Sequence, residues 1–185
     1  MRITISGVPG SGKTVVSKLL AKKLGYDYFS MGSILRELAK KKNMDIVELS
    51  LLAEKDKNID IELDNMQKEY SKKDNFVMDS RLGFYFIPDS VKVFLTCPVE
   101  TAAKRILNDD RDSEKYKDFD EAINKIKLRR QSEKKRYLNA YDIDYTDPKH
   151  YDLLIDTSDK SVEDIVNIIL SFLREHFNLI SNNEK

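Results

Sequence analysis

Eight consecutive residues near the amino terminus have the spacing of a loop that binds phosphate groups. They fit the pattern G-x-x-x-x-G-K-[ST] and are Gly7, Val8, Pro9, Gly10, Ser11, Gly12, Lys13 and Thr14. Glycines allow successive backbone N–H groups to converge on a phosphate at the start of a helix, where the helix dipole also favours an anion. In this pattern the lysine is a catalytic cation that reaches the β- and γ-phosphates, and the threonine hydroxyl binds Mg²⁺. The loop therefore predicts a site for ATP and Mg²⁺, with a purely structural glycine turn as the alternative.

A second magnesium-binding group is expected at the end of a neighbouring strand. Mg²⁺ keeps several of its waters in proteins and binds one or two carboxylates besides phosphate oxygens. The segment Phe76-Val77-Met78-Asp79 is an apolar strand that closes on a carboxylate. Asp79 is therefore predicted to bind the metal together with Thr14. The alternative is an aspartate that only forms a turn.

The arginines point to a second anion site. The chain has nine arginines against 23 lysines, so an arginine at a chosen position suggests a task that needs a planar, two-pronged donor. Arg129, Glu133 and Arg136 stand at spacings of four and three, which places them on one face of a helix. Arg36 follows residues 31–35 at the start of the region between the second and third predicted strands. Arg81 comes just after a predicted strand, at the carboxyl ends of the strands, where α/β proteins bind ligands. A solvated stripe of ion pairs is the alternative for the helical set.

Short apolar runs alternate with longer helical stretches, which is typical of strand–helix units around a parallel sheet. We therefore predict a three-layer α/β fold with a five-stranded parallel sheet flanked by helices. The predicted strands cover residues 2–6, 27–30, 75–79, 91–96 and 152–156. The predicted helices cover residues 13–24, 32–42, 45–56, 60–73, 98–108, 118–139 and 161–177, the last beginning with a capping box formed by Ser161 and Asp164.

A single domain is expected over residues 1–185, because 185 residues with 41% apolar side chains suffice for one core. That core comprises residues 1–30, 74–108 and 119–180. Residues 31–73 carry more helices than one crossover requires and are predicted to form a helical flap. Residues 109–118 are almost all polar and are predicted to form a short mobile lid, or else a plain solvated connection. Residues 181–185 are expected to fray.

Composition excludes several classes of function. Thirty-two basic and 32 acidic residues leave no net positive field for nucleic acid or a membrane surface, and no apolar run is long enough to cross a bilayer. A monomer in the cytoplasm is expected.

Cys97, the one cysteine, is predicted to be a buried, inert thiol, and His150 and His176 receive no role. The N-K-x-D stretch of a GTPase switch is missing, since the closest match, residues 124–127, lacks the Asp.

The ordered set of motifs over nearly the whole chain resembles a cytidylate kinase of the short archaeal type. The segments that carry the resemblance are residues 7–14 (GVPGSGKT), 30–36 (SMGSILR), 79–81 (DSR), 88–96 (PDSVKVFLT), 129–137 (RRQSEKKRY) and 151–158 (YDLLIDTS). The resemblance implies a P-loop NTPase fold with a flap that binds the nucleoside monophosphate and a short lid. It also implies transfer of the ATP γ-phosphoryl group to CMP or dCMP.

The resemblance also implies roles for individual residues. Arg36 and Arg81 match arginines that grip the acceptor's phosphate, Arg129 and Arg136 match a pair that bridges the acceptor and the transferring phosphate, and Arg105 matches a lid arginine that contacts ATP. Glu133 matches an acidic residue, usually Asp, near the acceptor's ribose. The chain departs from the pattern in two places: Ser80 replaces a common glycine, and Leu82 replaces an Asp that reads cytosine in bacterial members. Base contacts could come instead from the residues Asp60, Asp64 and Gln67 on a flap helix, with a solvated face as the alternative.

The sequence therefore predicts an ATP-dependent (d)CMP kinase whose ligands are small nucleotides, with UMP as the next acceptor. Its chemistry requires two polyanions to be aligned while positioned cations and Mg²⁺ offset the charge of the transferring group. Two alternatives remain open at this point. One is another small-metabolite kinase of the same architecture, acting on UMP, AMP or shikimate, and the other is a nucleotide-binding regulatory module without turnover.

Overall fold

The structure is a computed structural model that describes residues 1–109 and 116–177. Most of the predicted lid, residues 110–115, and the predicted frayed end lie outside the described residues. Five strands form one sheet: β1 (Arg2–Gly7), β2 (Asp27–Ser30), β3 (Phe76–Asp79), β4 (Val91–Thr96) and β5 (Leu153–Asp156). All neighbouring strands are parallel, in the order β2-β3-β1-β4-β5. The predicted five-stranded parallel sheet is confirmed.

Eight helices occur in the described residues. They are α1 (Lys13–Leu24), α2 (Met31–Lys41), α3 (Ile46–Ala53), α4 (Asn58–Tyr70), α5 (Gly83–Phe86), α6 (Val99–Leu107), α7 (Phe119–Tyr141) and α8 (Val162–Phe177). All seven predicted helices are present, with ends that differ by a few residues. Asp45, for example, precedes α3 because its carboxylate caps the helix by accepting from the backbone of Val47 and Glu48. The short α5 and a 3₁₀ turn at Pro148–His150 were not predicted, because so few residues show no helical period.

The sheet is covered on both faces. Side chains of a strand alternate between faces, so Ile3 and Ile5 lie in a core that includes residues of α1 and α8. Phe94 lies in a second core that includes residues of α6 and α7. Cys97 belongs to this second core, where burial raises the pKa of its thiol, as expected for a structural cysteine. The three-layer α/β fold is therefore confirmed.

Helices α2, α3 and α4 form the segment predicted as a flap. They share a small apolar core of their own, which includes Leu35, Ile46 and Leu49. Helix α3 also packs along α7, where Ser132 Oγ donates to the Ser50 carbonyl over 3.0 Å and Lys125 pairs with Asp45 at 2.8 Å. The segment predicted as a flap is therefore held against the helix that carries the predicted arginine pair. Within residues 1–109 and 116–177, none of the helices is both long and apolar enough to span a bilayer.

Helix ends are set locally. Ser30, the last residue of β2, accepts a hydrogen bond from the Ser33 N–H at 3.1 Å and so begins α2 directly at the sheet edge. Ser161 and Asp164 form the predicted reciprocal cap before α8: each backbone N–H donates to the other's side chain over 3.1 Å. These caps place two helix amino termini at the carboxyl ends of the strands, where the phosphate-binding loop also lies.

Candidate active site

The loop between β1 and α1 has a backbone that only glycine accommodates. Gly7, Gly10 and Gly12 have φ values of 148°, 75° and 84°, a region that side chains strongly disfavour. At Gly7 a Cβ atom would lie 2.1 Å from the carbonyl oxygen of Leu95 on β4, so the loop leaves the sheet through a gap with no room for a side chain. Ser11 Oγ donates to the Val8 carbonyl over 2.9 Å and stabilises the turn. The observed loop has the shape that the motif predicts.

Lys13, the first residue of α1, is buried at the base of this loop. Its ammonium group donates to the Val8 carbonyl over 2.8 Å. Burial lowers the pKa of Lys13 well below its usual value, and the nearby Arg81 guanidinium lowers it further. A buried ammonium beside a guanidinium is electrostatically unfavourable, and the carboxylates of Asp79 and Glu133 offset this only in part. The surroundings of Lys13 therefore favour a bound phosphate.

Thr14 and Asp79 are in direct contact, although 65 positions separate them. Thr14 Oγ1 donates to Asp79 Oδ2 over 2.8 Å, and Ser30 Oγ donates to the same oxygen over 3.2 Å. One carboxylate flanked by hydroxyl oxygens suits Mg²⁺, which prefers oxygen ligands and keeps several waters. Within the described residues, no three His, Cys, Asp or Glu side chains gather as a metal cage would require. The two predicted ligands thus fit a magnesium ion held mainly by phosphate and water.

Glu133 on α7 is the centre of a buried charge network. Its Oε2 accepts from Arg81 Nε at 2.8 Å and from the Tyr145 hydroxyl at 3.1 Å, and its Oε1 accepts from Arg129 Nε at 3.1 Å. The Glu133 residue is 2% exposed and Arg129 is 6% exposed. Burial alone would raise the pKa of Glu133, but Arg81 and Arg129 outweigh it and lower that pKa to about 2. The carboxylate is therefore ionised and holds two guanidinium groups side by side.

The remaining predicted arginines occupy positions around this network. Arg136, 6% exposed, donates through Nη1 to Asp60 of α4, and its Nε is buried without a hydrogen-bond partner among the described residues. Arg105 on α6 donates through Nη1 to Thr157 Oγ1 at 2.9 Å, and Arg36 on α2 donates to Ser33 Oγ at 3.0 Å. Because Arg129, Glu133 and Arg136 are all buried, the alternative of a solvated ion-pair stripe is wrong.

One cleft unites these groups. It has a volume of about 410 Å³ and is bounded by the phosphate-binding loop, the flap and the cationic residues of α6 and α7. The predicted site residues that line it are Pro9, Gly10, Ser11, Gly12, Lys13, Thr14, Arg36, Asp64, Asp79, Arg81, Arg105, Arg129 and Glu133. Gly7, Val8 and Arg136 were also predicted for the site but do not line the cleft; Arg136 donates to Asp60, which does. The predicted donor and acceptor residues therefore meet in a single cavity.

Sequence reasoning missed two tyrosines of this site. Tyr145 donates to Glu133 from the segment after α7, and Tyr141, the last residue of α7, donates to Asp64. Neither was singled out, because aromatic residues near a helix end are common in cores and show no spacing that points to a carboxylate. The one available signal was the density of tyrosines at residues 137, 141, 145 and 151.

Solved structures with the same fold include shikimate kinases. Shikimate kinase from Bacteroides thetaiotaomicron aligns with a TM-score of 0.67 and 18% identity over 94% of this chain and 98% of that chain. Shikimate kinase from Acinetobacter baumannii aligns with a TM-score of 0.63 and 19% identity over 95% of this chain and 94% of that chain. At such identities the likeness concerns the fold alone, and it confirms the predicted P-loop kinase architecture.

Sequence comparison is more specific. The cytidylate kinase of Sulfolobus acidocaldarius is 42% identical over 177 residues, which cover 94% of each chain. That of Methanobrevibacter smithii is 39% identical over 175 residues, which cover 94% of this chain and 99% of the relative. A profile of the cytidylate kinase-like family matches residues 2–159, which include Lys13 and all the arginines predicted for the site. The resemblance predicted from the motifs is thereby confirmed, and the chain belongs to the cytidylate kinase-like family.

Proposed function

We propose that the protein transfers the γ-phosphoryl group of ATP to CMP or dCMP, giving the diphosphate and ADP. One observation carries the proposal: Lys13 from the phosphate-binding loop and the Glu133-centred arginines line the same cleft. A protein that only binds ATP needs the first group of cations and not the second. Two cationic sites in one cavity suit a reaction between two phosphate-bearing substrates.

At the donor end, the loop would bind the phosphates of ATP. The N–H groups at the start of α1 and its helix dipole favour the β-phosphate, and Lys13 would move from the Val8 carbonyl to the β- and γ-phosphates. Arg105, held toward the cleft by Thr157, is proposed to contact the ATP phosphates. These groups act by position and charge.

Thr14 and Asp79 are proposed to hold Mg²⁺ on the donor phosphates, through the oxygens that now share a hydrogen bond. When bound, Mg²⁺ offsets the charge that develops on the phosphoryl oxygens. Ser30 would keep Asp79 oriented once the Thr14 hydroxyl turns away from it. This arrangement links the start of α2, and so the flap, to the donor site.

At the acceptor end, Arg36 and Arg81 are proposed to grip the phosphate of CMP, while Arg129 and Arg136 bridge it to the transferring group. Arg81 is suited to this task, because its Nε is anchored on Glu133 and its two terminal nitrogens have no hydrogen-bond partner among the described residues. Arginines that act on this kind of transition state contribute on the order of 10³ to 10⁵ in rate. The acceptor phosphate is an anion near neutral pH, so no general base is required.

Glu133 and Asp64 are proposed to act on the acceptor side as well. A contact between Glu133 and the ribose stays a prediction, but both carboxylate oxygens already accept hydrogen bonds from Arg81, Tyr145 and Arg129. The main proposed task of Glu133 is therefore to position the guanidinium groups.

The expected monomeric state also stays a prediction, which light scattering of the purified protein would test.

The test is an ATP-consumption assay with CMP, dCMP, UMP, AMP and shikimate as separate acceptors. CMP or dCMP should give the highest kcat/KM, and product analysis should find the diphosphate. Lys13→Ala should abolish transfer, whereas Lys22→Ala, an exposed lysine on the same helix, should leave it unchanged. A clear preference for AMP or shikimate would contradict the acceptor assignment. ATP binding without transfer to any acceptor would contradict the kinase assignment and favour a regulatory module.

A further inference from the structure

Two polar side chains of α4 are buried in the cleft although the helix lies at the surface. Asp64 is 8% exposed and Gln67 is 3% exposed, while their neighbours Ile61, Glu62 and Asn65 are exposed. Both line the cleft that holds the arginines. Residues three apart on a helix are neighbours on one face, so the side chains of Asp64 and Gln67 lie next to each other on the same face of α4. Burying such a pair is costly unless each group meets a partner.

The hydrogen-bond network fixes which atom of Gln67 faces which partner. The Leu82 N–H donates to Ser80 Oγ at 3.3 Å, which leaves the Ser80 hydroxyl proton to be donated to Gln67 Oε1. The carbonyl oxygen of the Gln67 amide is thus directed at Ser80. Its Nε2 group is the part left to donate, and it has no acceptor among the described residues. Ser80 is the residue that stands where the family pattern commonly has glycine, which could not supply this hydroxyl.

The neighbouring carboxylate is oriented as an acceptor. The Tyr141 hydroxyl donates to Asp64 Oδ2, and burial, followed by the hydrogen bond to Asp64, raises the pKa of Tyr141, so the phenol keeps its proton. Asp60, one turn earlier on α4, is engaged by Arg136. Within residues 1–109 and 116–177, no arginine or lysine forms an ion pair with Asp64. Its Oδ1 is therefore the oxygen left to accept.

We infer that Asp64 and Gln67 form a base-reading pair that selects cytosine over uracil in the acceptor nucleotide. The inference rests on the proposed function and adds its base specificity. Cytosine presents an amino donor beside a ring-nitrogen acceptor, which matches the Asp64 acceptor beside the Gln67 donor. Uracil presents a carbonyl acceptor beside an N–H donor, so both contacts become repulsive. Sites built to hydrogen-bond one pattern reject the opposite one strongly, because their buried groups are left unpaired.

The experiment measures kcat/KM for CMP and for UMP in three variants. Asp64→Asn replaces an obligate acceptor by an amide that can donate to the uracil carbonyl, and Gln67→Glu replaces the donor by an acceptor for the uracil N–H. Each single change should lower the CMP-to-UMP ratio by about tenfold to a hundredfold, as expected for one base contact. The double variant should prefer UMP. Glu62→Gln removes a carboxylate from the exposed face of the same helix and should leave the ratio unchanged.

Direct binding separates the failure of this inference from the failure of the proposed function. Calorimetric titration of CMP and UMP without ATP should give the same change in ratio, and it can be applied to variants with low turnover. Ser80→Ala provides a milder perturbation, because it frees the Gln67 amide to rotate and should lower the ratio severalfold. A wild-type protein that phosphorylates no monophosphate would overturn the proposed function. An active wild type whose folded variants all keep its CMP-to-UMP ratio would overturn the base-reading pair alone.

Discussion

Replacing Glu133 by glutamine tests the central charge network of the site. The substitution keeps the size of the side chain but removes the negative charge that holds Arg81 and Arg129. It also places an amide N–H₂ group against a guanidinium group, which can only donate and so cannot accept from it. Both guanidinium groups then remain buried with weaker compensation, which is costly in a low-dielectric environment.

The pKa of Glu133 provides the magnitude. It falls from an ordinary 4.5 to about 2, and since one pH unit corresponds to 1.36 kcal/mol, ionisation of this group stabilises the fold by about 3 kcal/mol. Because the pKa of the folded state is depressed, this stabilisation is complete above pH 4.5 and is lost as the pH falls toward 2. Loss of one partner of a buried ion pair costs a similar ~3 to 5 kcal/mol.

Urea unfolding at several pH values between 7 and 3 measures this effect. The free energy of unfolding of Glu133→Gln should be lower than that of the wild type by about 3 kcal/mol at pH 7, and the difference should shrink below pH 4.5. Glu175→Gln, an exposed carboxylate on α8, is the control and should change stability little. The kcat/KM for CMP should fall at least tenfold as Arg81 loses its anchor. A difference below 1 kcal/mol that does not depend on pH would refute this account of the network.

Three further substitutions have defined outcomes. Gly7→Ala should lower the melting temperature, because its Cβ would lie 2.1 Å from the Leu95 carbonyl oxygen at a φ of 148°; an unchanged melting curve would contradict the steric account. Asp79→Asn should raise the Mg²⁺ concentration needed for half-maximal activity, and an unchanged Mg²⁺ titration would remove Asp79 from the metal site. Tyr145→Phe deletes one hydrogen bond to Glu133 and should raise KM for CMP severalfold while KM for ATP stays constant. Equal changes in both constants would indicate a general structural role instead.

Local features of the sequence predicted most of the fold. Strands and helices followed from apolar period, since alternation along a strand and a spacing of three to four along a helix depend only on backbone geometry. The phosphate-binding loop followed from glycine spacing, because its backbone conformation excludes side chains regardless of the rest of the chain. Short elements such as α5 escaped prediction, as four residues hold too few periodic positions.

The acceptor side of the site depended on contacts between distant segments. Helical spacing placed Arg129 and Glu133 on one face of α7, but it left open whether that face met water or the protein. Only packing of α7 against the flap and the sheet buried Glu133 and brought Arg81, 52 residues away in sequence, to its carboxylate. The same holds for Tyr141 and Asp64, which are 77 residues apart.

The sequence by itself determined the alternation of strands and helices, the phosphate-binding loop and the family. The tertiary structure alone decided which charges become partners and which polar groups are withdrawn from water. The physical reason is that backbone conformation is governed by neighbouring residues, whereas burial and electrostatic pairing depend on where the folded chain brings remote segments together.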